Sequence, residues 1–174
     1  MQNRTLRQLT AAGVIAAAYA ALSLALAPIS FGAVQCRAAE VLTLLPVISP
    51  AAIWGVGLGC AITNAVGAAT GANFLGMVDL FVGTAATLLA AVASRLLGRI
   101  RIGRAPWLSA LPPILFNAVA IGAEWCYAAT GSINVAFWVF AGQIALGQLL
   151  PCLLGVWLVT LLERRGLQTI IEGK

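Results

Sequence analysis

The sequence predicts an all-α integral membrane protein, a bundle of six transmembrane helices with both termini in the cytoplasm, in which residues 1–174 form a single membrane domain. Three observations predict it. Hydrophobic residues make up 61% of the chain and charged residues 9%, whereas a soluble domain is about half apolar and about a quarter charged. Long apolar stretches alternate with short turns. Most cations lie beside the ends of these stretches, where topology signals belong.

Six helical segments follow from the apolar stretches and from the prolines and glycines between them. The first, 6–27, is about 33 Å long and crosses a hydrocarbon core. Its basic start is typical of a signal peptide, but the apolar run is too long and no small-residue cleavage site follows, so we expect a retained helix. The second, 37–48, is about 18 Å long and too short to span without its flanks. The remaining segments cover residues 51–70, 75–97, 106–130 and 135–162.

The positions of the cations decide the topology and argue against a nucleic-acid partner, although the net charge is +5 and the pI about 9.6. Six spans place nine of the ten cations on one side: Arg4, Arg7, Arg95, Arg99, Arg101, Arg104, Arg164, Arg165 and Lys174. By the positive-inside rule that side is cytoplasmic. Basic residues with interleaved aromatic residues for base stacking are absent. We expect a multi-pass protein of a bacterial plasma membrane, with the lipid bilayer as its surroundings.

The residue types exclude several kinds of chemistry. The chain has no histidine, which excludes His-based zinc motifs and Ser-His or Cys-His catalysis. The four cysteines show no CxxC spacing and are expected as small buried hydrophobic residues. No P-loop motif is present. We therefore expect no enzyme, no metal and no cofactor, and any ATP hydrolysis must occur in partner subunits.

Four charges lie within or beside the apolar stretches, and the six-span layout places them together on the outer side: Arg37, Glu40, Asp79 and Glu124. Ionisable groups in membrane segments are costly and usually mark a substrate path. Amides in neighbouring segments complete the predicted substrate-binding set: Asn64, Asn117 and Gln148. The excess of acid over the single arginine suits a ligand that donates hydrogen bonds or carries positive charge.

Simpler interpretations of these residues stay open. Arg37 and Glu40 are three residues apart on one helix face and could pair only with each other. Asp79 could cap the outer end of its helix, and the two asparagines could bridge helices. None of these interpretations explains the local excess of carboxylates.

The first helix carries small residues at every fourth position: Ala12, Ala16 and Ala20, with Gly13, Ala17 and Ala21 beside them. This spacing lets another helix approach closely. The approaching helix could belong to the same chain or to another protein. We predict the second, with Ala12, Ala16 and Ala20 as the partner-binding residues.

Five parts of the sequence resemble the QueT-type queuosine-precursor transporters, over nearly the whole chain: 28–46, 59–64, Asp79, 83–90 and 117–124. The most specific is Q-x-R-x-x-E-x-L-T-x-L-P at 35–46. The resemblance implies the substrate-binding (S) component of an energy-coupling-factor (ECF) transporter and its six-helix fold. It implies a 7-deazaguanine ligand such as pre-queuosine or queuine. It also implies partners, namely a transmembrane coupling subunit that meets the small residues of the first helix, and two ATPase subunits.

The chemistry of the residues agrees with such a ligand. A guanine-like edge presents adjacent N–H donors, which Glu40 can accept in bidentate fashion, and Asp79 and Glu124 would serve the remaining donors or an aminomethyl cation. An aromatic side chain can stack on the ring; the candidates are Phe31, Trp125 and Trp138. Two positions depart from the family pattern. Cys36 replaces a larger apolar or aromatic residue, and Gln148 replaces a glutamate, which bears on the preference for a cationic or a neutral precursor.

Two rival functions stay open. The first is a self-sufficient secondary transporter of a small polar or cationic solute, with Asp79 or Glu124 as a proton site. Inverted repeats with broken helices would favour it, but no clear repeat is visible. The second is a membrane enzyme, which no closely spaced acidic motif supports.

Overall fold

The computed structural model describes residues 2–32 and 35–166, and these residues form helices joined by short connections. The long helices are α1 (Gln2–Ala25), α3 (Ala51–Thr70), α4 (Met77–Leu97), α5 (Leu111–Thr130) and α6 (Phe137–Arg164). Three shorter elements are α2 (Ala27–Ser30), a 3₁₀ helix (Ala38–Val47) and a 3₁₀ turn (Trp107–Ala110) directly before α5. The predicted all-α class is confirmed, and the helix bounds lie within a few residues of those predicted.

Five of the helices in the described part are long and apolar enough to cross a membrane. The 24 residues of α1 extend about 36 Å. Large apolar side chains point away from the bundle, including Trp54 (72% exposed), Phe81 (71%) and Trp138 (73%). That arrangement suits lipid as the surrounding solvent. The sixth apolar segment is shorter, so the count of six spans and the cytoplasmic termini stay predictions.

The second predicted segment is the 3₁₀ helix, which we call the central helix because it packs against α1, α3, α4 and α6. Its ten residues rise about 2.0 Å each, which makes it about 20 Å long. A 3₁₀ helix of this length is uncommon. Close packing of the neighbouring helices stabilises this one. Gly155 of α6 is one of the close neighbours, since a Cβ there would lie 2.7 Å from the carbonyl oxygen of Val41.

Helix α1 lies along α3, and the remaining long helices pack in chain order, α3 on α4, α4 on α5 and α5 on α6. Glycines of α3 bring the first pair together. A Cβ at Gly55 would lie 2.9 Å from the carbonyl oxygen of Ala12, and one at Gly59 would lie 2.9 Å from that of Ala16. This is the close backbone approach that small residues allow between membrane helices.

Helix α1 ends at Ala25, two residues before its predicted end at residue 27, and Pro28 does not terminate it. Pro28 instead lies in the first turn of α2. There its fixed φ suits the helix and its missing N–H breaks no intrahelical bond. Arg37 itself, just before the central helix, has an extended backbone with φ −83° and ψ 106°.

The two ends of the bundle differ in charge. At the acidic end α3 and α5 finish and α4 and α6 begin; it carries Arg37, Glu40, Asp79 and Glu124. Left-handed glycines, Gly71 and Gly131, terminate α3 and α5 there, each with φ 73°, as is common at helix C-termini. The opposite, basic end carries Arg95, Arg99, Arg101, Arg104, Arg164 and Arg165.

Candidate functional site

At the acidic end a buried ion pair joins Arg37, the residue just before the central helix, to Asp79 of α4. Arg37 Nη2 lies 2.9 Å from Asp79 Oδ2, and the side chains are 4% and 0% exposed. Arg37 Nε also donates to the Ser30 carbonyl oxygen at 3.3 Å, and its guanidinium lies 5.3 Å from the centre of the Phe31 ring. A buried charge is tolerated only with such multiple partners, so the pair fixes the loop onto α4.

Two asparagines complete the surroundings of Asp79. Asn73 donates to Asp79 Oδ2 at 2.8 Å and accepts the Leu75 N–H at 3.1 Å. Asn64 of α3 donates to the Asp79 carbonyl oxygen at 2.8 Å. Asp79 Oδ1 has no hydrogen-bond partner among the described residues. The carboxylate is therefore oriented by its neighbours and keeps one oxygen available.

These contacts decide two interpretations that the sequence left open. Arg37 does not pair with Glu40, because Arg37 has an extended backbone and precedes the central helix, so the spacing rule for one helix face does not apply. Asp79 is not a helix cap: the N-cap of α4 is Gly76, without a side-chain cap bond. Asn64 does bridge helices, and its Oδ1 is buried without a partner in the described part of the chain.

Glu40 lies in the first turn of the central helix and is 1% exposed. Its Oε1 accepts the Tyr19 hydroxyl of α1 at 2.8 Å, and the buried Asn117 of α5 lies beside it. The Thr43 hydroxyl donates to the Glu40 carbonyl oxygen at 2.6 Å. Glu40 Oε2 has no partner within the described residues. The Glu40 carboxylate is therefore held in place, and its Oε2 can still accept a hydrogen bond.

Glu124 lies near the end of α5, within electrostatic reach of Asp79 and Arg37. Both of its carboxylate oxygens are shielded from solvent and neither finds a hydrogen-bond partner in the described chain. The side chain borders a groove of about 510 Å³ between α4 and α5, whose walls include Val78 and Tyr127. A carboxylate without a partner beside an apolar groove favours a ligand that brings donors or positive charge.

Aromatic residues line the same region. Trp125 of α5 stacks on Phe74, with 5.4 Å between ring centroids, and lies 6.3 Å from Phe140 of α6. Its indole N–H is buried without a partner in the described residues. Phe31 is occupied by the Arg37 guanidinium, and Trp138 is exposed. Trp125 is likewise packed against two rings, Phe74 and Phe140, so the stacking role of all three candidates stays a prediction.

Gln148 of α6 is buried, 1% exposed, and its Oε1 accepts a weak contact from the Cys152 thiol at 3.9 Å. Gln143, one turn and a half earlier, has a buried Oε1 that lacks a partner among the described residues. The structure thus places Gln148 in the interior, where a neutral amide stands at the position of the expected glutamate.

Three residues of the site were missed in the sequence. Tyr19 and Asn73 bind the two carboxylates, as described above. Gln35 is buried with φ 43°, a left-handed conformation that is uncommon outside glycine, and its Nε2 lacks a partner in the described part. Gln35 begins the Q-x-R part of the motif at 35–46, which was the available signal; residues 33 and 34, just before it, lie outside the described residues.

Buried polar atoms without a partner gather at this end and are mostly acceptors. Among the described residues they include six acceptor oxygens, namely Glu40 Oε2, Asn64 Oδ1, Asp79 Oδ1, Glu124 Oε1, Glu124 Oε2 and Gln143 Oε1. Within the same described residues two N–H donors lack a partner, Gln35 Nε2 and Trp125 Nε1. Three buried hydroxyls, which can donate or accept, also lack one: Ser23, Ser30 and Thr84. Buried polar groups are normally satisfied, and an unsatisfied one is costly. The arrangement therefore suits a small, donor-rich polar ligand.

The predicted docking residues of α1 occupy two environments. Ala16 and Ala20 are buried, and α3 covers this face of α1 through Gly55 and Gly59. Ala12 is half-buried. On the neighbouring face Gly13, Ala17 and Ala21 are exposed. The role of Ala12, Ala16 and Ala20 in binding another protein stays a prediction.

The comparison with known families identifies the class of protein. The sequence profile of the QueT transporter family matches residues 9–164. The chain belongs to this family. Membership, which confirms the resemblance seen in the sequence, and the five apolar helices indicate a multi-pass membrane protein that transports a small molecule. No curated protein and no solved structure matches the chain significantly.

Proposed function

We propose that the protein is the substrate-capture subunit of an ECF-type importer and binds a queuosine precursor, a 7-deazaguanine such as pre-queuosine or queuine, at the acidic end. Membership in the QueT transporter family supports this substrate class. The observation that carries the proposal is the excess of buried acceptor oxygens over N–H donors without a partner. A deazaguanine presents ring and exocyclic N–H donors along one edge, which is the complementary pattern.

Glu40 recognises that edge. The Tyr19 hydroxyl, 2.8 Å from Oε1, fixes the carboxylate, and each carboxylate oxygen accepts more than one hydrogen bond. Two parallel N–H donors of the ligand therefore find two acceptor oxygens in a fixed plane. The amide of Asn117, beside Glu40, completes the recognition.

Arg37 has a positioning role rather than a ligand-binding one. Its guanidinium is committed to Asp79, Ser30 and the Phe31 ring. It neutralises one carboxylate, which leaves Glu40 and Glu124 as the acidic groups facing the ligand. Glu124, with neither oxygen paired among the described residues, binds a cationic aminomethyl group of the precursor.

Calorimetric titration with a matched pair of ligands tests this assignment. The pair is 7-aminomethyl-7-deazaguanine, which carries a cation, and 7-cyano-7-deazaguanine, which does not. We expect Glu124→Gln to weaken binding of the aminomethyl compound roughly tenfold to a hundredfold, the worth of a charge-assisted hydrogen bond, and to change binding of the cyano compound little. Glu163→Gln at the basic end is the matched control and leaves both affinities unchanged. Failure of the unmodified protein to bind either compound would contradict the substrate class, whereas equal losses for both would contradict only the role of Glu124.

A coupling subunit and two ATPase subunits supply the energy in this proposal, since the chain has no P-loop motif. On α1 the small residues left exposed by α3 are Gly13, Ala17 and Ala21. We place the docking face on this row, with the half-buried Ala12 at its edge, because close helix approach needs small side chains on the accessible side.

Two tryptophan variants distinguish the faces of α1. Ala17→Trp should prevent co-purification with the coupling subunit while ligand binding persists. Ala16→Trp should impair both, because bulk forced into the interface with α3 destabilises the fold by about 1–3 kcal/mol or more. Survival of the complex with Ala17→Trp would contradict the proposed face.

The self-sufficient secondary transporter remains the second candidate, favoured by one observation. Glu124, whose two carboxylate oxygens are shielded and unpaired within the described residues, lies in an apolar helix, which is also the feature of a proton site. Proteoliposomes that contain this chain alone decide the question. We expect no uptake until coupling and ATPase subunits with ATP are added; uptake driven by a proton gradient without them would favour the second candidate.

A further inference from the structure

The basic end contains a hollow that is separate from the site at the acidic end and shares no residue with it. It has a volume of about 370 Å³ and is lined by Val47, Arg95, Gly98, Arg99 and Arg101; we call it the arginine hollow. Val47 is the last residue of the central helix, and the other four belong to the end of α4 and the connection after it. Three guanidinium groups around one concavity form a site for an anion.

Two of the three arginines are held in place by the fold. Arg95 Nη1 donates to the Pro46 carbonyl oxygen at 2.7 Å. Arg101 donates two hydrogen bonds to the Glu163 carboxylate, at 2.8 and 2.7 Å. Because a guanidinium has five N–H donors, each keeps donors in reserve. Their positions are set without a ligand, which lowers the entropy cost of binding one.

Arg99 is the third arginine and is exposed. Its side chain makes no hydrogen bond or ion pair with any residue that the structure describes. Among the described residues around the hollow, Glu163 therefore offsets one of three positive charges. The uncompensated charge, and the free donors of Arg99, favour an anion with several acceptor oxygens, such as a phosphate.

The neighbours of these arginines distinguish a lipid headgroup from free phosphate. Leu96 and Ile100, next in the chain to Arg95 and Arg99, are 57% and 52% exposed, and Ile102 beside Arg101 is 57% exposed. Apolar side chains that alternate with the arginines provide a surface for acyl chains, which free phosphate does not need. By the positive-inside rule this end faces the cytoplasmic leaflet, where anionic lipids are concentrated.

We propose that the arginine hollow binds the phosphate of an anionic phospholipid, with the acyl chains along the exposed apolar residues beside it. The bound lipid contacts Arg95, which also holds the carbonyl oxygen of Pro46. Pro46 lies near the end of the central helix, and Glu40 lies in its first turn. Lipid binding therefore stabilises the element that carries a carboxylate of the substrate site.

Thermal unfolding of the purified protein tests the proposal, with titration of three additives: phosphatidylglycerol, phosphatidylcholine with identical acyl chains, and inorganic phosphate. We expect phosphatidylglycerol alone to raise the unfolding temperature. Arg99→Gln should weaken this effect about fivefold in lipid concentration, the loss for one arginine near an anionic surface. The fold should tolerate the change because the Arg99 side chain makes no bond to the described residues.

Arg104→Gln is the matched control, since Arg104 is exposed at the same end but does not line the hollow. It should respond to phosphatidylglycerol like the unmodified protein. Three results would each overturn the proposal: equal stabilisation by the two lipids, equal stabilisation by inorganic phosphate, or an equal loss in Arg99→Gln and Arg104→Gln. The last would show attraction to the general surface potential instead of a defined site.

Discussion

At the acidic end an arginine and an aspartate form a fully buried ion pair, whereas the ion pair at the basic end is partly exposed to solvent. The ion pair of Arg37 with Asp79 measures 2.9 Å with side chains 4% and 0% exposed. The pair of Arg101 with Glu163 is shorter, 2.7 Å, but its side chains are 33% and 23% exposed. The distance between the charged atoms therefore does not tell which of the two pairs contributes more to stability.

Burial decides what each pair does. A buried pair that loses one partner leaves a charge without compensation, at a cost of about 3–5 kcal/mol. An exposed pair contributes about 0–1 kcal/mol, because water and salt replace the lost partner. The buried pair thus holds Arg37 and Asp79 in fixed positions, whereas the exposed pair leaves Arg101 and Glu163 accessible to solvent.

The largest expected effect comes from a substitution that breaks the buried pair of Arg37 and Asp79. Asp79→Asn keeps the shape of the side chain and removes its charge, so Arg37 remains buried beside a neutral amide. We expect a loss of about 3–5 kcal/mol in the free energy of unfolding. Glu163→Gln should lose no more than about 1 kcal/mol. Unfolding in detergent, followed by circular dichroism, measures both; similar losses in the two variants would remove the difference between the ends.

The next largest effect is on ligand affinity, which we expect to depend on a carboxylate at the acidic end and not on an arginine at the basic end. Glu40→Gln replaces one acceptor oxygen by a donor. We expect a loss of affinity for a 7-deazaguanine of roughly tenfold to a hundredfold, which corresponds to about 1.5–3 kcal/mol. Arg104→Gln, at the basic end, should bind as the unmodified protein does. Calorimetry reads the affinity and thermal unfolding checks the fold. Unchanged affinity in a stable Glu40→Gln protein would leave Glu40 as a structural partner of Tyr19 alone.

Gly83 of α4 tests how tightly the acidic end is packed. A Cβ at this position would overlap Asp79 Oδ1 and lie 3.0 Å from Asn64 Nδ2. Gly83→Ala should therefore destabilise the protein by about 1–3 kcal/mol, against the gain of about 1 kcal/mol that alanine brings to a helix interior. Gly142→Ala in α6 is the control, because nothing lies within 4 Å of its Cβ position. If Gly83→Ala is neutral, Asp79 is free to move.

The smallest expected effect concerns the hydroxyl that orients Glu40. Tyr19→Phe removes the donor 2.8 Å from Oε1 and keeps the ring. We expect ligand affinity to fall by a factor equivalent to about 0.5–1.5 kcal/mol, the net worth of one hydrogen bond. Arg104→Gln, at the exposed basic end, should change nothing. A larger loss than that of Glu40→Gln would mean that Tyr19 itself contacts the ligand.

Hydropathy and turn residues determined the helical class and the helix bounds from the sequence alone. The all-α class and the bounds of α3, predicted as 51–70 and found as Ala51–Thr70, rest on local signals. Glycine after the helix and proline before it act within a few residues of themselves. The concentration of Arg37, Glu40, Asp79 and Glu124 at one end also followed from the sequence, since span lengths alone place them there.

Only the tertiary structure decided which of these groups are partners. Arg37 meets Asp79 across 42 positions, and Tyr19 meets Glu40 across 21. The sequence offered Glu40 as a nearer candidate partner for Arg37, because spacing rules describe one helix at a time. The 3₁₀ form of the central helix was likewise invisible, since packing by α1, α3, α4 and α6 stabilises it. Local chemistry sets where helices begin and end, but the partner of a buried charge depends on which helices pack together.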